Sequence, residues 1–151
     1  MSLYTSEAAF KAAIIKVLNA VIKYDSCEFC NKLALKFEEA SLAEVSFTSS
    51  FELGKWASNP QGNVHGGVTA AVLDQSMGIL ATCMAGGRIT PTVSMNISYS
   101  KPIPLDKKIF LKSYVVSSGK TMVNTACKIW IEGYPGKTAA SSTGIYHIPQ
   151  K

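Results

Sequence analysis

Apolar residues near the start of the chain recur every three or four positions, which is the spacing of one face of an α-helix. Ser6 is a residue type that caps helix N-termini, so this helix is predicted to begin near Glu7 and to end near Tyr24. The residues on its apolar face are Phe10, Ile14, Val17, Leu18, Val21 and Ile22.

Apolar and polar residues then alternate, which is typical of β-strands that bury one face. Two strands are predicted around residues 33–37 and 45–49, and four more at residues 92–99, 109–117, 121–132 and 137–147. Ser118-Gly119-Lys120 and Gly133-Tyr134-Pro135-Gly136 predict hairpin turns between the last three strands.

A second helix is predicted between the two groups of strands, from about Gly66 to about Met84, after a loop rich in Asn, Pro and Gly. Its residues are apolar nearly all round, so it should be buried, and Gly86-Gly87 should end it. The order of elements predicts an α+β fold in which a long antiparallel β-sheet wraps around one buried central helix, with an extra N-terminal helix.

The length of 151 residues suits one domain over 1–151, with an N-terminal helix and connector over 1–30 and a core over 31–148. Apolar residues make up 47% of the chain and charged residues 17%, which excludes a disordered chain. So few charges leave apolar surface for an oligomer to cover, and a dimer is the commonest oligomer.

The net charge of +5 favours an anionic partner, and because the lysines are scattered, a small polyanion fits better than a nucleic acid. Solubility explains this charge equally well. Asp74, Gln75 and Thr82 interrupt the longest apolar run, so we expect no membrane span. No signal peptide is recognisable, which makes the cytosol the expected compartment.

The four cysteines are expected to be reduced thiols in that compartment. Cys27 and Cys30 form a lone C-x-x-C, for which a structural role is favoured because no second Cys/His pair is spaced to complete a zinc site. Cys83 is predicted to pack as a small hydrophobic residue, and Cys127 carries no motif.

Residues 59–74 hold the candidate chemistry. The Gly66-Gly67 pair exposes helix N-terminal N–H groups, which can hold an oxyanion, although glycines alone favour a tight turn. Asp74 lies in the most apolar helix, where a carboxylate must be paired, hydrogen-bonded or functional, and a structural role stays equally open. Asn59 and His65 precede the helix, where Asn59 is suited to hold a water or a carbonyl and His65 to fix the loop.

The spacing of these residues bears on the oligomeric state. Asp74 lies about two helical turns beyond the glycine pair, or roughly 10 to 12 Å along the axis. Both groups cannot touch one reacting carbonyl within a single subunit. If both act, a second subunit must supply one of them, so the spacing predicts a composite site at a dimer interface.

The pattern N-x-x-G-x-x-H-G-G over residues 59–67, followed by Asp74, resembles the hotdog-fold acyl-CoA thioesterases. It is most similar to their phenylacetic-acid-degradation-type and human thioesterase-superfamily-member-type branch. Residues 92–102 and 118–121 also resemble this branch, and the similarity extends over roughly residues 33–147. The long N-terminal helix and the C-x-x-C depart from the family pattern.

This resemblance implies a role for each of five residues. Asp74 would act as general base on water or as nucleophile on the thioester carbon, assisted by Thr92, whose hydroxyl orients the water. The Gly66 N–H would polarise the thioester carbonyl, Asn59 would position the water or carbonyl, and His65 would hold the loop and contact the thioester. Asp74 and Thr92 would come from one subunit of a homodimer, and Asn59, His65 and Gly66 from its partner. A dimer of dimers also fits.

The implied reaction is hydrolysis of an acyl-CoA to a free acid and CoA, with no cofactor and no metal. Arg88, Lys101 and Lys120 are candidate contacts for the CoA phosphates, although each also fits an ordinary solvated charge. The alternative is a non-catalytic hotdog protein that binds acyl-CoA as a sensor. A pure binder does not need a buried base, so Asp74 argues against this alternative.

Overall fold

Three α-helices and six strands make up the computed structural model, which describes residues 3–22 and 27–150. The helices are α1 (Glu7–Ile22), α2 (Glu28–Leu33) and α3 (Gly66–Met84), with a 3-10 turn at Lys55–Ala57. The strands are β1 (Lys36–Ser41), β2 (Ser46–Phe51), β3 (Thr92–Tyr99), β4 (Ile109–Ser118), β5 (Met122–Ile131) and β6 (Thr138–His147).

The strands form one antiparallel sheet in the order β1-β2-β4-β5-β6-β3. Both predicted hairpins are confirmed, because β4 pairs with β5 and β5 with β6. The Gly119 N–H donates to the Met122 carbonyl at 2.8 Å, and Gly133 supplies a φ of +84° in the second turn. β3 forms one edge of the sheet, so one of its sides presents backbone N–H and C=O groups without a strand partner among the described residues.

α3 packs against β2 to β6 on one side and against α1 on another. Packing on several sides explains why apolar residues occupy nearly the whole circumference of α3. Leu73, Met77 and Leu80 are fully buried. By length and hydropathy alone α3 is able to cross a bilayer, but 56% of that stretch is buried inside the fold. A sheet wrapped around one central helix is the predicted hotdog architecture, which is thereby confirmed.

α1 begins where its sequence predicted. Ser6 accepts a hydrogen bond from the Ala9 N–H at 3.2 Å through its hydroxyl oxygen, as a helix cap does. Phe10, Ile14 and Leu18 are buried, so the predicted apolar face is the packed one. The predicted end near Tyr24 lies outside the described residues.

The first predicted strand is wrong at its beginning. Residues Glu28–Leu33 form α2, which ends at Ala34 in the left-handed conformation (φ 48°), and β1 begins only at Lys36. Leu33 and Leu35 are both buried because the chain turns at Ala34 rather than running extended through it. The alternation at 33–37 therefore reflects a helix end followed by a turn.

The expectation of four reduced thiols is also wrong in part. Cys27 and Cys30 form a disulfide, with their Cα atoms 5.3 Å apart. This distance is within the ordinary range for bridged cysteines because the first turn of α2 brings residues three apart together. Cys83 and Cys127 are free and buried, as small hydrophobic residues are.

Candidate functional site

The loop before α3 is closed by the Asn59 side chain. Its Oδ1 accepts the N–H groups of Gln61 and Asn63, each at 3.0 Å. The Asn59 N–H donates to the Asn63 carbonyl at 2.7 Å, so the loop is bonded across both ends. Asn59 Oδ1 is therefore committed to the loop, and the part of this side chain left to meet a ligand is its amide nitrogen, a hydrogen-bond donor.

His65 is the cap of α3. Its Nδ1 accepts the Gly67 N–H at 2.9 Å, and the backbone N–H of His65 donates to the Ala57 carbonyl at 2.7 Å. The His65 side chain thus caps the helix, while its backbone joins the helix start to the preceding 3-10 turn. The residue as a whole is exposed to solvent.

The Gly66 N–H makes no hydrogen bond to any described residue. It belongs to the first turn of α3, where N–H groups lack intrahelical partners and the helix dipole is positive. The Tyr99 hydroxyl donates to the Gly66 carbonyl at 3.0 Å and ties the helix start to β3. This corner of the fold therefore offers an anchored, unbonded donor suited to a developing oxyanion.

Asp74 lies two turns further along α3 and is half-buried. Its Oδ1 accepts the Thr92 hydroxyl from β3 at 2.9 Å and the Tyr146 hydroxyl from β6 at 2.9 Å. Its Oδ2 has no hydrogen-bond partner among residues 3–22 and 27–150. The carboxylate is thus held by one oxygen and open at the other.

The structure brings the predicted residues together in two groups. Asn59, His65 and Gly66 meet at the start of α3, whereas Asp74 and Thr92 meet in its middle. Because α3 is continuous, Asp74 is about 12 Å from Gly66 along the axis, at about 1.5 Å per residue. A single chain therefore does not bring the two groups within reach of one carbonyl carbon.

The three candidate cations are spread over the surface. Arg88 follows the end of α3, where it donates to the carbonyls of Ala85 at 3.0 Å and Pro149 at 2.7 Å. Lys101 follows β3 and Lys120 lies in the turn between β4 and β5, and both are exposed. Arg88 therefore has a structural role, while the two lysines keep their ammonium groups in solvent.

Two other kinds of chemistry lack support in the part of the chain that the structure describes. Burial raises the pKa of Cys83 to about 12 and that of Cys127 to about 12, so both stay as unreactive thiols. No group of three or more His, Cys, Asp or Glu side chains in residues 3–22 and 27–150 is placed to hold a metal ion.

The sequence patterns did not identify two tyrosines of this site. In the sequence, Tyr99 and Tyr146 are ordinary members of predicted strands. In the structure, the Tyr99 hydroxyl contacts Gly66 and the Tyr146 hydroxyl contacts Asp74. Tyr146 and Asp74 are 72 positions apart in sequence. Only the pairing of β6 with β3, beneath α3, reveals the contact.

Comparison with known proteins identifies related chains. Residues 61–134 match the family model "Thioesterase superfamily". The chain is 31% identical to acyl-coenzyme A thioesterase 13 of Mus musculus, over 72% of this chain and 74% of that protein. It is 29% identical to acyl-coenzyme A thioesterase THEM4 of Xenopus laevis, over 72% of this chain but only 43% of that protein. The chain therefore spans less than half the length of that second relative.

Solved structures share the fold at lower identity. Zebra fish thioesterase superfamily member 2 superposes with a TM-score of 0.77 at 20% identity, covering 97% of this chain and 100% of that one. A hypothetical thioesterase protein with coenzyme A from Streptococcus pneumoniae TIGR4 superposes with a TM-score of 0.68 at 20% identity, covering 78% and 90%.

Proposed function

This chain belongs to the thioesterase superfamily, and we propose that it hydrolyses an acyl-CoA thioester to a free acid and CoA. The observation that carries this proposal is the Asp74 carboxylate, which two hydroxyls hold at Oδ1 while Oδ2 has no partner among the described residues. A carboxylate held in this way is suited to take a proton from water. The names of the relatives, and the coenzyme A in one structural neighbour, support the choice of substrate class.

In the proposed reaction, the thioester carbonyl oxygen lies against the Gly66 N–H, which stabilises the negative charge that develops there. Oδ2 of Asp74 takes a proton from water as the water oxygen bonds to the carbonyl carbon. The tetrahedral intermediate then breaks its carbon–sulfur bond. The proton held by Asp74 passes to the leaving sulfur, so that CoA departs as a thiol.

A second route begins at the same free oxygen. Here Oδ2 attacks the carbonyl carbon directly, the carbon–sulfur bond breaks, and CoA leaves as a thiolate. Water then attacks Cγ of Asp74, which cleaves the mixed anhydride, frees the acid and supplies the proton that the CoA thiolate takes up. A single turnover in ¹⁸O-labelled water separates the two routes. Solvent oxygen enters the acid in the first turnover if Asp74 is the base, and enters Asp74 itself if the side chain is the nucleophile and water attacks its Cγ.

We place each complete site between two copies of the chain. The separation of Gly66 from Asp74 within one helix supports this arrangement, as does the open edge of β3. Val93 on β3 is 55% exposed, and Ile89, shortly before this strand, is 73% exposed. Both amide atoms of Gln75 are buried without a partner among the described residues, and a second copy would satisfy such groups.

The CoA phosphates need cations at the mouth of the site. Lys101 and Lys120 are the candidates with solvated ammonium groups, whereas Arg88 already donates to two backbone carbonyls. We therefore propose the two lysines ahead of Arg88 as phosphate contacts. The net charge of +5 adds a favourable long-range field for a polyanionic substrate.

Release of free thiol from a panel of short, medium, long and aromatic acyl-CoAs tests the proposal. We expect turnover by the native protein, and a loss of about a hundredfold or more in Asp74→Asn, since a positioned general base contributes about 10² to 10⁴ in rate. Asp106→Asn, at an exposed aspartate in the loop between β3 and β4, is the matched control and should keep full activity. Binding of acyl-CoA without thiol release would favour a sensor, and full activity of Asp74→Asn would exclude the mechanism.

A further inference from the structure

The ring of Tyr146 lies where two glycines leave it room. Tyr146 is on β6 and only 1% exposed. A Cβ atom added at Gly144 would lie 2.8 Å from its Cε2 and 3.2 Å from its hydroxyl oxygen. A Cβ added at Gly78, on α3, would lie 3.5 Å from its Cε1. The ring therefore fills a slot between strand and helix, and any side chain at Gly144 must displace it.

This slot points the phenol at Asp74. The hydroxyl oxygen lies 2.9 Å from Oδ1 and 3.2 Å from the backbone carbonyl of Asp74. A phenol has one proton to donate, and a hydrogen bond to an ionised oxygen is the stronger one, so the carboxylate receives it. Burial raises the pKa of Tyr146, and the charge on Asp74 raises it further, which keeps the phenol protonated as a donor.

We infer that Tyr146 is a positioning residue for the proposed hydrolysis: its hydroxyl and that of Thr92 together hold Oδ1 of Asp74 and so direct Oδ2 to the attacking water. The inference rests on the proposed function. One donor lets a carboxylate swing about the bond that joins it to Cβ, whereas two donors from different strands fix the plane of the group. Tyr146 is buried beneath α3, so it acts through Asp74 and not on the substrate.

Among the described residues of one chain, a single ionisable side chain bonds to this carboxylate. Tyr146 faces it from β6, and the Thr92 hydroxyl, which does not titrate, faces it from β3. α3 carries no charged side chain besides Asp74. The Cys127 thiol on β5 makes the smallest of the contributions that raise the pKa of Tyr146. A change in the acidic limb of the pH–rate profile on removal of the phenol hydroxyl therefore reports on the bond to Asp74.

Tyr146→Phe keeps the ring in its slot and removes only the hydroxyl. We expect kcat to fall roughly tenfold, because a tenfold change corresponds to about 1.4 kcal/mol, near the lower value for a hydrogen bond to a charged group. KM should stay within about twofold, since Tyr146 does not reach the substrate. The acidic limb of the kcat/KM profile should move to higher pH, because a hydrogen bond to the ionised carboxylate is lost.

Tyr134→Phe is the matched control, since this tyrosine is 56% exposed in the turn between β5 and β6 and should behave like the native protein. Gly144→Ala is a second route to the same effect, because its new Cβ pushes the phenol away from Asp74. If Tyr146→Phe does not fold, Gly144→Ala carries the test. The melting temperature of each variant is measured alongside its activity.

Two results would overturn the inference. One is a Tyr146→Phe variant with native kcat and a native acidic limb. The other is a fall in kcat that accompanies a lower melting temperature while the acidic limb stays in place, which marks a structural role. In both cases an inactive Asp74→Asn leaves the proposed function standing, whereas an active Asp74→Asn removes the proposed function itself.

Discussion

Replacing Gly66 with proline removes one hydrogen-bond donor and changes little else. Proline is favoured at the first position of a helix because the N–H it lacks has no intrahelical partner there, and the Gly66 N–H is unbonded in this fold. The preceding His65 has φ −61° and ψ 138°, which is the conformation that a residue before proline prefers. The space is also available, since a Cβ at Gly66 meets the Tyr99 ring at 3.7 Å, an ordinary contact.

The expected loss follows from the role of that donor. If the Gly66 N–H stabilises the oxyanion, its removal should lower kcat by about 10² to 10³, the cost of losing one oxyanion-hole donor, or roughly 2.7 to 4 kcal/mol. Stability should change little, because no hydrogen bond of the native chain is lost. The variant separates catalysis from folding more cleanly than a change at Asp74, whose carboxylate accepts hydrogen bonds from the Thr92 and Tyr146 hydroxyls.

The assay is steady-state thiol release with the best acyl-CoA of the panel, together with a thermal melt. Gly66→Ala is the matched control, because it adds a Cβ of similar position but keeps the N–H, and it should retain activity within about tenfold. A Gly66→Pro variant as active as Gly66→Ala would refute the assignment of the oxyanion donor. Equal and large losses in both variants would point instead to a steric requirement beside Tyr99.

Two further predictions follow from the same geometry. Chains carrying Gly66→Pro and chains carrying Asp74→Asn, each inactive alone, should recover about a quarter of native activity when mixed equally. Half of the two-fold dimers then contain one chain of each kind, and one of the two sites in such a dimer is intact. No recovery would mean that each chain builds its own site. Iodoacetamide at mildly alkaline pH should leave both the activity and Cys83 and Cys127 unchanged, because burial raises the pKa of each thiol to about 12, and mass spectrometry should find them alkylated only after unfolding.

The sequence alone determined the elements whose apolar residues recur at a regular spacing or whose ends are marked by glycines. α3 runs from Gly66 to Met84 as predicted, because its start is marked by glycines and its end by Gly86 and Gly87, both with positive φ. The hairpins of β4, β5 and β6 were predictable because their turns are local. α2 was not, because a six-residue helix is shorter than two turns and Leu33 and Leu35 also match a strand pattern.

Tertiary structure decided how the candidate residues are used. Residues 59–67 and Asp74 stand out in the sequence because Asn, His and Gly before an apolar helix, and a carboxylate inside one, are unusual. Their partners do not stand out, since Thr92 and Tyr146 reach Asp74 only because β3 crosses the fold to pair with β6. A hydrogen bond between residues 72 positions apart depends on strand order and register, and no local pattern of apolar and polar residues encodes either one.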